Sequence, residues 1–139
     1  AAIELAHVET CVAQLRSDSI WSLVDAVGER KLEVALGAAA SLLAEREPPL
    51  RILALVARQL RILAKLKRAL ASGLKPQEAT QQAGAPPFKA RELSAMAQRF
   101  DDARLVRAFA LIAETDLALK GSRVAGPRVL ERALLELCR

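Results

Sequence analysis

The stretch Pro49-Leu50-Arg51-Ile52-Leu53-Ala54-Leu55-Val56-Ala57-Arg58-Gln59-Leu60-Arg61-Ile62-Leu63-Ala64-Lys65-Leu66-Lys67-Arg68-Ala69-Leu70-Ala71-Ser72 decides how this chain is built. Apolar residues recur at spacings of three and four, the period of a helix face. Leu53, Val56, Leu60, Leu63 and Leu70 form one line, and Ile52, Leu55, Ile62 and Leu66 form the line beside it. Arg51, Arg58, Arg61, Lys65 and Arg68 all fall on one narrow stripe. A helix that is apolar over most of its circumference belongs in the middle of a bundle. Proline is tolerated in a first helical turn and breaks an interior, so Pro48-Pro49 sets the start, and Gly73 supplies a cap at the end. At 1.5 Å per residue the helix is roughly 36 Å long.

Outward from this helix, turn signals divide the chain into further helical segments. On the N-terminal side, Ile3 to Leu15 carries Leu5, Val8, Val12 and Leu15 at helical spacing. Ser17, Asp18 and Ser19 offer N-cap chemistry for a second segment, Ile20 to Val27, that ends near Gly28. A third, from about Glu29 to Arg46, aligns Leu32, Ala35, Leu36, Ala39, Leu42 and Leu43. On the C-terminal side, Pro76 to Ala83 is closed by Gly84, and Phe88 to about Phe100 follows Pro86-Pro87. Asp101 and Asp102 cap a longer helix, Ala103 to Lys120, with Leu105, Phe109, Ile112 and Leu119 apolar and Gly121 at its end. Gly126-Pro127 opens the last helix, whose Val129, Leu130, Ala133, Leu134 and Leu137 face inward.

Composition supports the same class. Of 139 residues, 28 are Ala and 24 are Leu, both strong helix formers, and only 3% are aromatic. β-Branched and aromatic residues, which favour strands, are scarce. The expected fold is all-α: a single antiparallel bundle of about seven to eight helices around the long central one, one domain over residues 1–139. A chain of this length buries enough apolar surface to fold without a metal or disulfide. It starts Ala1-Ala2 with no initiator Met, and reads as the C-terminal fragment of a longer protein. The longest uncharged run, Val34 to Ala44, is too short for a membrane span. No signal-peptide pattern is present, and two cysteines without CxxC spacing fit a reducing, cytoplasmic setting.

Charge is uneven. Residues 1–47 hold 8 acids and 4 bases, net −4, whereas residues 48–139 hold 8 acids and 17 bases, net +9. From Pro48 through Gln77 there is no acid. Arg58, Arg61, Lys65 and Arg68 are therefore the candidate partner-binding residues. They have two readings: a solvated face that keeps a bundle soluble, or contact with an acidic protein surface or nucleic acid.

Catalytic and metal readings find little to stand on. His7, the only histidine, lies one turn from Cys11, which puts two ligand types on one helix face. Cys138 would have to be a third ligand and no fourth is evident, so no metal is expected, and a free cysteine packs as a small hydrophobe. Nucleophilic catalysis needs a positioned base, and neither GxSxG nor a Cys–His pairing occurs. The six glycines are scattered, all but Gly37 at helix ends, and form no phosphate-cradling cluster. No cofactor is expected. Asp101-Asp102 suits a helix N-terminus for dipole reasons alone. Asp116 and Lys120 read as an intrahelical pair, with Leu117 and Leu119 suggesting partial burial. Residues 76–98 have the outline of a helix-turn-helix with Lys89 and Arg91. Pro86-Pro87 at the start of the second helix, and an outward face poor in Asn, Gln and Arg, argue against DNA reading there.

Several stretches together resemble a known family, the C-terminal domain of the delta subunit of bacterial DNA polymerase III. They are Ile20-Trp21-Ser22-Leu23-Val24-Asp25-Ala26-Val27, the central helix from Pro49 through Leu63, and the short-helix region of Gly73, Gly84 and Pro87-Phe88-Lys89. Ala113-Glu114-Thr115-Asp116-Leu117-Ala118-Leu119-Lys120 and Leu130-Glu131-Arg132-Ala133-Leu134-Leu135 complete the likeness, which runs from about Val8 to the C-terminus. Departures are Trp21 in place of Phe, Thr115 in place of Ala, and Val124 to Pro127 in place of an Asp-Pro connection. The resemblance implies a helical collar domain of the clamp loader, part of a DNA-directed DNA polymerase holoenzyme active in DNA replication. It implies packing beside the tau/gamma and delta-prime subunits in a five-membered ring, with no catalytic residue. It also implies that the sliding clamp is touched only by an N-terminal part outside this sequence, and that direct DNA contact and membranes play no role. Read from residues alone, the alternative is a nucleic-acid-binding helical module that uses the basic C-terminal two-thirds or the pair at 76–98.

Overall fold

The computed structural model describes residues 18–121 and 123–139. The expected first helix, Ile3 to Leu15, lies outside the described residues, as do His7, Cys11 and Ser17. Residues 18–28 form helix α1. After it come α2 (Leu32–Ala44), α3 (Pro49–Ala71), α4 (Pro76–Ala83), a 3-10 turn (Pro87–Lys89), α5 (Ala90–Gln98), α6 (Asp102–Gly121) and α7 (Gly126–Leu137). The described residues contain no strand.

Helix α3 is the axis of the bundle, as its pattern requires. It packs against α2, α4, α5, α6 and α7. Ile52, Leu53, Val56, Ala57, Leu60, Ile62, Leu63 and Leu66 are all buried. Around them sit Ile20, Leu23 and Val24 of α1, Leu42 of α2, Leu93 and Met96 of α5, Leu105 and Ile112 of α6, and Leu130 and Leu134 of α7. Trp21 is buried in the same core. The five inward positions expected on α7, Val129, Leu130, Ala133, Leu134 and Leu137, are all buried.

Four helices end in the same hydrogen-bonding device. After α3, Gly73 N–H donates to Leu70 O and Leu74 N–H to Ala69 O; after α4, Gly84 and Ala85 repeat the pattern onto Gln81 and Thr80. These are Schellman caps with glycine in the left-handed region, φ +98° and +100°. The ends of α1 and α2 make the same bonds with arginine in that place: Arg30 (φ 61°) and Arg46 (φ 66°). A side chain with a Cβ is disfavoured there, and these two caps are invisible to a search for glycine.

This corrects one boundary. The third helix starts at Leu32, not Glu29, because Glu29-Arg30-Lys31 are consumed in closing α1. α1 ends at Gly28 as expected, and Gly28 is its last helical residue. Its reason for lacking a side chain is contact: a Cβ there would sit 3.0 Å from Phe100 Cε2. Asp18 and Ser19 are also within α1 instead of capping it, and Asp18 receives Lys89 at 3.2 Å from the start of α5. By contrast Asp101 caps α6 as expected, accepting the Arg104 N–H at 2.7 Å.

Candidate interaction surface

The charged stripe of α3 emerges where the apolar lines leave it. With those lines turned to the core, Arg58, Arg61, Lys65 and Arg68 are all exposed. They follow one another at three- and four-residue steps, so they stand on successive turns of one face. Among the described residues no carboxylate lies within ion-pair distance of any of the four. Their neighbours differ. Arg51, at the head of the stripe, pairs with buried Glu47 at 3.3 Å. Lys67 turns off the stripe toward α6, donating to Phe100 O and to Asp102 Oδ1 at 3.2 Å. Among the described residues the four candidates form a ridge of unneutralised charge on a helix otherwise committed to the core.

A second cationic feature has no counterpart among the sequence expectations. Arg104 on α6 is only 5% exposed. Its Nη1 donates to Gly28 O at 2.9 Å and to Arg99 O at 3.0 Å; its Nη2 donates to Val27 O at 2.5 Å and to Leu137 O at 3.4 Å. Those carbonyls belong to the C-terminal ends of α1, α5 and α7. Helix C-termini carry partial negative charge and unsatisfied carbonyls, so one guanidinium serves three of them. The cation also lies 4.7 Å from the centroid of the Phe100 ring. Burial, with the nearby Arg30 charge second, holds its pKa below the usual arginine value. The sequence carries one weak signal of this role: an arginine in the first turn of a helix, on the side of Leu105 and Ala108 that faces the core.

Beside it, Arg99 forks between Asp25 and Glu29, fastening α5 to the end of α1. Glu29 also accepts from Lys31 at 2.7 Å, which holds its carboxyl below the ordinary range. Cys138, the third residue of the conceivable metal set, is a buried free thiol among the described residues, with its pKa pushed up chiefly by burial. No group of three potential metal ligands occurs among the described residues.

The remaining candidates find structural places. Asp116 and Lys120 pair at 2.9 Å within α6. The expected partial burial of the pair holds for Asp116 but not for Lys120, which is exposed. Leu117 beside them is 71% exposed, because it points directly away from the buried Ile112 and Thr115 line. In the 76–98 region the second element begins as a 3-10 turn at Pro87. Lys89 is held by Asp18, leaving Arg91 exposed. Among the described residues no helix is long and apolar enough to cross a membrane.

Comparison with known proteins agrees with this architecture. No curated protein matches the chain. Among solved structures, the Bacillus subtilis DNA clamp loader delta protein (YqeN) is similar, with a TM-score of 0.77 over 88% of this chain at 24% identity. That likeness is one of fold, and it covers 36% of the Bacillus protein. The family described as DNA polymerase III delta subunit, C-terminal domain, matches residues 17–137. The match spans nearly all of the sequence and every described helix, and so the chain belongs to the family formed by the C-terminal domains of DNA polymerase III delta subunits.

Proposed function

We propose that this domain is an assembly element of a clamp loader, holding a delta subunit in a pentameric collar beside the tau/gamma and delta-prime subunits, with no catalytic step of its own. Family membership supports the setting. The observation that carries the assembly role is the α3 ridge: Arg58, Arg61, Lys65 and Arg68 are exposed, without an ion-pair partner among the described residues, on a helix whose other faces are buried. Like charges on successive turns repel, so the ridge costs the isolated fold a little. An acidic neighbour would relieve that repulsion. Sliding-clamp contact is left to sequence upstream of this domain.

The charge of residues 48–139 favours a second reading, nucleic-acid binding. The short pair at 76–98 offers it little, since the 3-10 start and the engaged Lys89 leave Arg91 as its exposed cation. Titration with single- and double-stranded DNA across salt separates the readings. Tight binding lost steeply with salt supports nucleic acid. The assembly reading expects weak DNA binding at moderate salt and co-elution of this domain with tau/gamma and delta-prime subunits. Failure to co-elute, with tight salt-sensitive DNA binding, contradicts it.

A further inference from the structure

Helix α6 presents a second surface with no partner among the described residues. Ala103, Val106, Ala110, Ala113 and Leu117 are all exposed. Val106 and Leu117 are 70% and 71% exposed. Scattered exposed hydrophobics are normal on any protein. These five are not scattered: they recur at spacings of three, four, three and four, the seam period of helix-to-helix packing. The seam runs about 21 Å along the helix. Three alanines keep it low, so a second helix axis can approach closely.

The seam continues into a groove between α3 and α6 of ≈ 640 Å³. Val106, Leu105 and Phe109 form one wall; Ala64, Ala71 and Arg68 form the other. Arg68 belongs to the unpaired ridge, and Lys65 and Arg61 follow it one and two turns back on the same face. Of the acids at the groove's end, Asp102 is paired with Lys67, while Asp101 is turned to capping α6 through the Arg104 N–H and keeps its charge. On α6 itself Asp116 holds Lys120. Arg107 and Glu114 carry no ion pair among the described residues and offset each other. The surface is thus an apolar seam bordered on its α3 side by Arg61, Lys65 and Arg68, three cations against the single unpaired Asp101, with no ion-pair partner among the described residues.

We infer that the α3/α6 groove and the α6 seam together dock an amphipathic helix of a partner protein, with its apolar face on Val106, Phe109 and Leu117 and an acidic flank on Arg61, Lys65 and Arg68. Charge complementarity selects this occupant: a second copy of the chain would bring its own basic ridge, and a basic helix would be repelled. The inference rests on the assembly reading for its biological setting and on the surface alone for its chemistry.

The test uses two labelled helical peptides of the same leucine seam, one flanked by glutamate and one by lysine, titrated into the intact 139-residue chain by fluorescence anisotropy. The acidic peptide binds. Val106→Lys with Leu117→Lys weakens it about tenfold or more, as loss of central apolar anchors does. Arg61→Glu with Arg68→Glu weakens the acidic peptide and strengthens the lysine one. All four positions are exposed, and thermal melting confirms that the variants fold. Absence of acidic-peptide binding, equal binding of both peptides, or indifference to the seam variants overturns the inference. So does self-association of the chain that Val106→Lys abolishes, because a second copy would then be the occupant. A chain that binds the acidic helix but does not co-elute with collar subunits defeats the assembly reading alone. A chain that co-elutes but binds no acidic helix defeats this inference alone.

Discussion

Arg104 and Arg61 differ in place, not in kind, and the difference separates what holds this domain together from what it offers outward. Arg104 is buried and its hydrogen bonds go to backbone carbonyls at the ends of α1, α5 and α7. Arg61 stands on the core helix, exposed, with no carboxylate partner among the described residues. A buried cation is tolerable when fixed dipoles replace its water, and helix C-termini are such dipoles. An exposed unpaired cation contributes almost nothing to stability. The same residue type is a clasp in one region and an open contact in the other. Substitutions at the clasp should therefore change stability, and substitutions on the ridge should change partnership.

The strongest way to break that contrast is at the clasp. Arg104→Met keeps most of the length of the side chain and removes the donors, stranding buried carbonyls from three helices. Each unsatisfied buried group costs about 1–3 kcal/mol, and partial rescue by water keeps the expected total near about 3 kcal/mol. Urea denaturation should show a loss of stability of that size. Arg104→Lys keeps the charge but cannot span the same four carbonyls, and should fall between wild type and Met. A Met variant as stable as wild type would show that the clasp holds nothing.

The next effect is at the contact below it. Gly28→Ala adds helix propensity worth about 1 kcal/mol. It also pushes a methyl to 3.0 Å from the Phe100 ring. Phe100 is fully buried beneath Arg104 and must shift to admit the methyl, so overpacking of about 1–3 kcal/mol is expected to outweigh the propensity gain. The expected net is a loss of about 1 kcal/mol in the same urea assay. An alanine variant more stable than wild type would show that Phe100 moves freely.

A smaller effect of opposite sign tests the helix ends. Arg46 holds a left-handed conformation at φ 66° in the cap of α2. Arg46→Gly should stabilise by about 0.5–1 kcal/mol, since glycine meets no Cβ penalty there. Thermal melting of the variant is the measurement, and a lower midpoint would mean the arginine side chain does more than tolerate its turn.

Most of the fold is legible in the sequence. Helix α3, its buried lines and its basic stripe follow from period alone, as does the inward face of α7. What stays hidden has a common physical cause. Arg30 and Arg46 cap helices in a conformation usually taken by glycine, so the start of α2 falls later than turn signals suggest. Gly28 has the look of a helix breaker, and its role is to admit a ring from seventy residues away. Arg104 has no local signature, because its partners are carbonyls from elements distant in sequence. The seam on α6 is not marked by the periodicity: Leu117 lies off the apolar line of Leu105, Phe109, Ile112 and Leu119 and faces outward. Local periodicity reports which side of a helix is apolar; long-range backbone contacts and a second, exposed apolar line need the assembled fold.

The most direct test of the central claim is the double charge reversal Arg61→Glu with Lys65→Glu, measured for both stability and assembly. Stability in urea should stay within about 0.5 kcal/mol of wild type, while co-elution with tau/gamma and delta-prime subunits is lost. Unchanged co-elution would make the ridge a solvated face and no more.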